Sequence, residues 1–183
     1  MFPRRRSGGT LRPLWHHLLG YDQAVLRTVA SRELPRWFDR VMRGATHLGG
    51  AGFAVAVPLA LLALPGTRPL GATMAVAVLT SHLAVQLLKR TVVRARPSVR
   101  EPGIPALSAP PDAYSFPSGH AAAAMALALP VAFVSPWLAL PAVTGALLVG
   151  ASRVYLRVHY VTDVVVGQVL GAAAALGAGI SLR

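Results

Sequence analysis

Four long stretches of this chain contain no Asp, Glu, Lys or Arg: Leu48–Thr67, Pro69–Leu88, Gly119–Ser152 and Val164–Leu182. A helix crossing a hydrocarbon core of about 30 Å needs about 20 apolar residues, and within that core every backbone N–H and C=O must be bonded inside the protein. The blocks therefore predict helices packed in a membrane, not a water-soluble core. Composition agrees, since 54% of the 183 residues are hydrophobic and 13% charged. The length suits one domain.

The third block is too long for one passage. Its 34 residues would run roughly 50 Å at about 1.5 Å per residue. Ser135 and Pro136 stand at its middle, where proline lacks a donor and turns the preceding residue away from helical geometry. Division there gives two shortish helices and five crossings in all. The expected fold is all-α: an integral membrane helical bundle of about five transmembrane helices over residues 48–183.

Residues 1–47 differ in kind. Nine arginines alternate with Leu, Val, Trp, Phe and Met, and no window is apolar enough to span. The mixture suits an amphipathic segment lying in the headgroup layer, broken by Pro35 and anchored by Trp15 and Trp37. Residues 1–12 read as a disordered basic tail. A secretory leader is not expected, because the long apolar region and small-residue cleavage site are missing.

Three polar motifs interrupt the apolar run: Lys89-x6-Arg96-Pro97, Pro117-Ser118-Gly119-His120, and Ser152-Arg153-x5-His159-x3-Asp163. Lys89, Arg96 and Arg153 supply three cations, and a guanidinium can grip two phosphate oxygens at once. Ser118 sits at an N-cap position before an alanine-rich helix, whose free amides suit an anion, and Gly119 lets the backbone approach it. A plain cap would explain Ser118 and Gly119 but not a histidine opening an apolar span. His159 and Asp163, four apart, share a helix face; alone, such a pair reads more often as a structural hydrogen bond. Arg90, Arg94 and Arg100 read as ordinary basic residues flanking a membrane helix.

The ordered triplet resembles the signature of the type-2 phosphatidic acid phosphatase family, which includes lipid phosphate phosphatases, bacterial acid phosphatases and vanadium haloperoxidases. The resemblance implies that His159 attacks phosphorus to form a phosphohistidine, with Asp163 holding its ring. It also implies that His120 protonates the leaving oxygen, while Lys89, Arg96, Ser118, Gly119 and Arg153 bind the phosphate. The activity implied is hydrolysis of a lipid phosphate ester or diphosphate. Candidate substrates are phosphatidylglycerol phosphate, decaprenylphosphoryl-5-phosphoribose, phosphatidic acid and polyprenyl diphosphate. Competing readings are a phosphotransferase or vanadate-dependent enzyme on the same site, and a non-enzymatic cationic protein binding anionic lipid.

Five crossings bring all three motifs to one side of the bilayer. Sixteen of the 18 lysines and arginines fall on that side, and only Arg68 and Arg183 fall opposite. The excess of positive charge predicts a cell-membrane protein with its active site at the cytoplasmic face, whereas many relatives in the resembled family carry six helices and an outward site. The net charge of +12 is met by anionic headgroups, so no nucleic-acid partner is expected.

No cofactor or metal is expected. The six acidic residues, Asp22, Glu33, Asp39, Glu101, Asp112 and Asp163, include no close pair in sequence, and cysteine is absent. His16 and His17 read as interfacial, and His82, inside the second span, as an interhelical hydrogen bond. Gly167-x3-Gly171 reads as a packing motif within the bundle. The proline-rich segment 98–116 is a candidate roof over the site, with Tyr114 and Phe116 positioned for lipid contact. Oligomeric state is not legible.

Overall fold

The computed structural model describes residues 11–181, with side chains from His17 onward. Helix α1 (Leu11–Ala30) is separated from α2 (Arg36–His47) by a break at which Pro35 caps α2. Then follow α3 (Ala51–Ala63), α4 (Arg68–Val92), the short α5 (Pro97–Arg100), α6 (Gly119–Ala128), α7 (Pro136–Tyr155) and α8 (Val161–Ser181). Among the described residues the one departure from helix and loop is an isolated antiparallel bridge between Ala95 and Tyr114. Most of the basic tail expected over residues 1–12, and the side chain of Trp15, lie outside the described residues.

Each uncharged block folds as a helix, and the third divides where predicted. Ser135 is extended, its Oγ accepts from the Leu138 amide at 3.4 Å, and Pro136 occupies the first turn of α7. The five bundle helices are thus α3, α4, α6, α7 and α8, but they are unequal. Three, built on α4, α7 and α8, are long and apolar enough to cross a membrane by themselves. Helix α6 runs on through a 3-10 turn to Phe133 and is shorter, while α3 has 13 residues and reaches spanning length only with α2, from which it is bent by 54°. The bend has a packing cause. A Cβ on Gly49 would lie 2.4 Å from the His120 carbonyl oxygen, so the chain turns here while pressed against α6.

Helix α6 forms the middle of the bundle and touches α3, α4, α7 and α8. Ala121, Ala122, Ala124, Ala126 and Ala128 are all buried, which explains an alanine-rich sequence: small side chains on every face let four neighbours approach. Helix α8 comes closest. Cβ atoms on Gly167 and Gly171 would sit 2.4 Å from the Ser118 oxygen and 2.2 Å from the Ala122 oxygen. The Gly167-x3-Gly171 motif therefore packs α8 on α6, within the bundle. Replacing Gly171 by alanine should destabilise the protein by about 1–3 kcal/mol in thermal unfolding in detergent. Gly177→Ala, where an added Cβ meets nothing within 4 Å, should be neutral or slightly stabilising.

Candidate active site

Two backbone reversals aim the first and third motifs. Val93 ends α4 in the left-handed region (φ 47°, ψ 47°), and Arg157 adopts φ 59° between Arg153 and His159. Non-glycine residues there cost about 1–3 kcal/mol each, a cost the surrounding packing has to offset. Beyond Val93 the chain is extended, and Arg96 (φ −72°, ψ 157°) takes the conformation expected of a residue before proline.

His159 is buried in the connection between α7 and α8. Its Nδ1 lies 2.7 Å from the Ser115 carbonyl oxygen. A carbonyl only accepts, so Nδ1 carries the proton and Nε2 presents a lone pair. Arg96 Nη1 stands 3.3 Å from that Nε2 and also donates to the Val158 oxygen at 2.8 Å. Burial foremost lowers the His159 pKa, and the Arg96 and Arg153 cations add to this. Contact with Asp163 opposes the shift without cancelling it, leaving a value of about 4.

The ring is therefore neutral at neutral pH, and the sign of the linkage follows. Between pH 6.5 and 4 the unfolded imidazole takes up a proton that the folded one refuses, so stability present above 6.5 is lost as pH falls. Acidification over that range should weaken folding by an amount on the order of 3 kcal/mol. Thermal unfolding at stepped pH should show His159→Phe lacking this share of the acid sensitivity.

Asp163 is fully buried behind the ring. Its Oδ2 is 3.6 Å from His159 Nδ1, so the carboxylate contributes charge while the Ser115 carbonyl makes the closer hydrogen bond. That Oδ2 accepts from the Tyr160 amide at 2.8 Å and from the Ser115 hydroxyl, and Oδ1 accepts from Arg94 Nη1 at 2.6 Å. Arg94 is thus no flanking cation. It is buried, donates through Nη2 to Asp22 at 2.8 Å and through Nη1 to Thr162 Oγ1 at 2.8 Å, and lies 4.1 Å above the Tyr160 ring. Asp22, from α1, also accepts from the Thr162 amide at 3.0 Å. Arg90 and Arg100 are exposed, as flanking residues would be.

Ser118 caps α6 as expected, its Oγ 3.5 Å from the Ala121 amide, and its own amide donates to the Asp163 carbonyl at 2.9 Å. Gly119 is not demanded by packing, because an added Cβ would meet only Val85 at 3.8 Å. The space lies on the cavity side. A cavity of about 490 Å³ is bordered by Lys89, Gly119, His120 and His159 and runs down between α3 and α4. Arg153 is buried beside it, with Nη1 donating to Thr46 Oγ1 at 2.6 Å, while its Nε and Nη2 have no protein partner. All eight residues singled out from the motifs therefore converge on one end of the bundle.

Sequence reasoning missed Arg94, Asp112, Ser115, Asp22 and Thr46. Asp112, from the segment proposed as a roof, pairs with Lys89 and with Arg96 Nη2 at 2.9 Å. Arg96 Nε also donates to its carbonyl oxygen at 2.7 Å. Partial burial acts to raise the Asp112 pKa, but the bonds and charges of Lys89 and Arg96 outweigh it and hold the carboxyl below its usual value. Tyr114 is about two-fifths exposed beside this loop.

Comparison with known proteins bears directly on this arrangement. The PAP2 superfamily profile matches residues 69–180, the stretch carrying all three motifs. Phosphatidylglycerophosphatase B of Bacillus subtilis is 32% identical over 168 residues, covering 82% of this chain and 77% of its own length. Decaprenylphosphoryl-5-phosphoribose phosphatase of Mycobacterium tuberculosis is 36% identical over 142 residues, covering 71% of this chain and 72% of its own. The crystal structure of a transmembrane PAP2-type phosphatidylglycerolphosphate phosphatase from Bacillus subtilis superposes with a TM-score of 0.73 at 29% identity, over 90% of this chain and 86% of that one. With profile, relatives and bundle geometry all meeting on the same motif-bearing helices, the chain belongs to the PAP2 superfamily.

Proposed function

We propose that the protein is a membrane lipid phosphatase that hydrolyses a lipid phosphomonoester through a phosphohistidine on His159, without a metal. The observation that carries this reading is an unprotonated imidazole nitrogen, His159 Nε2, in a cavity that also holds His120 and Lys89, with Arg96 Nη1 in contact with it and two unpartnered nitrogens of Arg153 buried nearby. Phosphoryl transfer asks chiefly for positioning and for charge on the non-bridging oxygens, and three cations supply that charge without a divalent ion.

In the first step Nε2 bonds to phosphorus and the bond to the lipid oxygen breaks. The electron pair stays on that oxygen, which takes a proton from His120; the bound dianion favours that proton being present. Asp163 and the Ser115 carbonyl balance the positive charge that develops on His159. In the second step His120, now neutral, removes a proton from water as its oxygen attacks phosphorus. The P–N bond breaks, its electrons return to Nε2, and inorganic phosphate leaves. The named activities of the relatives, on phosphatidylglycerophosphate and on decaprenylphosphoryl-5-phosphoribose, support a lipid substrate.

The test is phosphate release from a panel of lipid phosphates in excess chelator, with labelled phosphate trapped on the enzyme. Expected are turnover with chelator present and a label stable to base, labile to acid, and absent from His159→Ala. Turnover abolished by chelator, or a label unaffected by the substitution, overturns the reading.

We further propose that the site faces the cytoplasm, supported by the distribution of 16 of 18 basic side chains. Ser7→Cys should resist a membrane-impermeant maleimide in intact cells and react after lysis. Labelling of intact cells reverses the orientation.

A further inference from the structure

Below the catalytic end, the same cavity contains two polar side chains that the phosphate chemistry does not use. His82 and Gln86 project from α4 on the face that carries Lys89, at spacings of four and three residues, and both border the cavity. At about 1.5 Å per residue, Gln86 lies about 4.5 Å and His82 about 10.5 Å below Lys89 along the helix. The interhelical hydrogen bond expected for His82 is not formed. Its one hydrogen-bond contact among the described residues is within its own helix, Gln86 Nε2 at 3.5 Å from His82 Nε2. That contact leaves the other ring N–H and the second amide hydrogen free to donate. Around them the walls are apolar, with Val55, Pro58 and Leu59 of α3 facing Val78 and Leu79 of α4. Leu59 and Leu79 are exposed, so the groove opens sideways, toward the lipid.

His82 is exposed in the groove and Gln86 half-buried; donors that face hydrocarbon are costly to leave unbonded, so the groove calls for an acceptor that is absent from the protein. We propose that His82 and Gln86 recognise the carboxylic ester carbonyls of a glycerolipid, and hence that this site acts on a phosphorylated diacylglycerol lipid rather than a polyprenyl phosphate. The inference rests on the lipid phosphatase reading and narrows it. In a diacylglycerol lipid the ester carbonyls follow the phosphate within a few bonds, at the level where the hydrocarbon begins. A prenyl chain places hydrocarbon directly beyond the phosphate and would leave both donors unbonded. A second phosphate fits less well, because among the described residues Lys89 is the one lysine or arginine bordering the cavity and no other cation lines it beside His82 and Gln86.

The experiment uses the full chain in detergent micelles and three substrates: a diacyl phosphatidate, its dialkyl ether analogue with the same chain lengths, and a polyprenyl diphosphate. The parent should show a kcat/KM for the ester about tenfold above the ether, as loss of one or two hydrogen bonds implies. His82→Leu and Gln86→Leu should each bring that ratio toward unity by lowering the ester rate and leaving the ether rate within about twofold. Because the ratio is taken within one preparation, a smaller folded fraction does not alter it. Equal ester and ether rates in the parent overturn the inference while leaving the phosphatase reading intact. So does an unchanged ratio in both variants, or faster turnover of polyprenyl diphosphate than of either glycerolipid. Release of phosphate from none of the three overturns the phosphatase reading and the inference with it.

Discussion

Replacement of His159 by alanine is expected to lower kcat for lipid phosphate hydrolysis by about 10⁴-fold or more, because in the proposed mechanism it removes the atom that bonds to phosphorus. KM should change little. On the proposed reading Lys89, Arg96 and Arg153 still meet the phosphate and the apolar groove still takes the lipid, so ground-state binding survives. His120→Ala is expected to behave differently. Loss of a general acid costs about 10² to 10⁴-fold with an alkoxide leaving group, but a p-nitrophenol leaving group needs no proton. With a p-nitrophenyl phosphate ester, His120→Ala should therefore keep much of its first step and accumulate the phosphoenzyme, since water activation is now slow. Comparison of burst amplitudes and steady-state rates for the two variants checks both assignments. A His159→Ala enzyme within tenfold of the parent would remove the nucleophile from the mechanism.

Arg94→Met is expected to destabilise the bundle by about 3–5 kcal/mol, the range seen when one partner of a buried ion pair is removed. The guanidinium stands between Asp22 and Asp163, both essentially inaccessible to solvent, at 2.8 and 2.6 Å. Without it two buried carboxylates face each other across a methionine. Activity should fall as well, since Asp163 would take up a proton or shift away from His159 and Ser115. The effect should be partly reversed by adding Asp22→Leu, which removes one of the stranded charges; unfolding of the two single variants and the double variant gives the coupling directly. If Arg94→Met unfolds within 1 kcal/mol of the parent (about the size of an ordinary surface change), the network is incidental.

Arg94 also marks the limit of what could be read from the chain. The uncharged blocks announced the bundle because a missing charge is a one-dimensional signal, and the break at Ser135 and Pro136 follows from local backbone chemistry. The lengths of α3 and α6 were harder. The bend between α2 and α3 falls where Gly49 is pressed against the His120 carbonyl, a contact between residues 71 positions apart. That the eight motif residues would gather at one end of the bundle was legible because their spacing is part of a known signature. Arg94 looked like Arg90, its neighbour in the same basic cluster. What separates them is the left-handed turn at Val93, where nothing local advertises positive φ. Ser115 was likewise indistinguishable from Ser108. Its function resides in a carbonyl, which every residue has, and in a hydroxyl that meets Asp163 only after folding.

The Asp112 contact has a thermodynamic corollary. With a carboxylate already seated on Lys89 and Arg96, an arriving anion gains only the margin by which it outbids that occupant. A dianionic monoester, with three free oxygens, has such a margin. A phosphodiester headgroup carries one negative charge, no more than the resident carboxylate. The bilayer surface is crowded with such diesters, so on the proposed reading the tethered carboxylate would shield Lys89 and Arg96 from them.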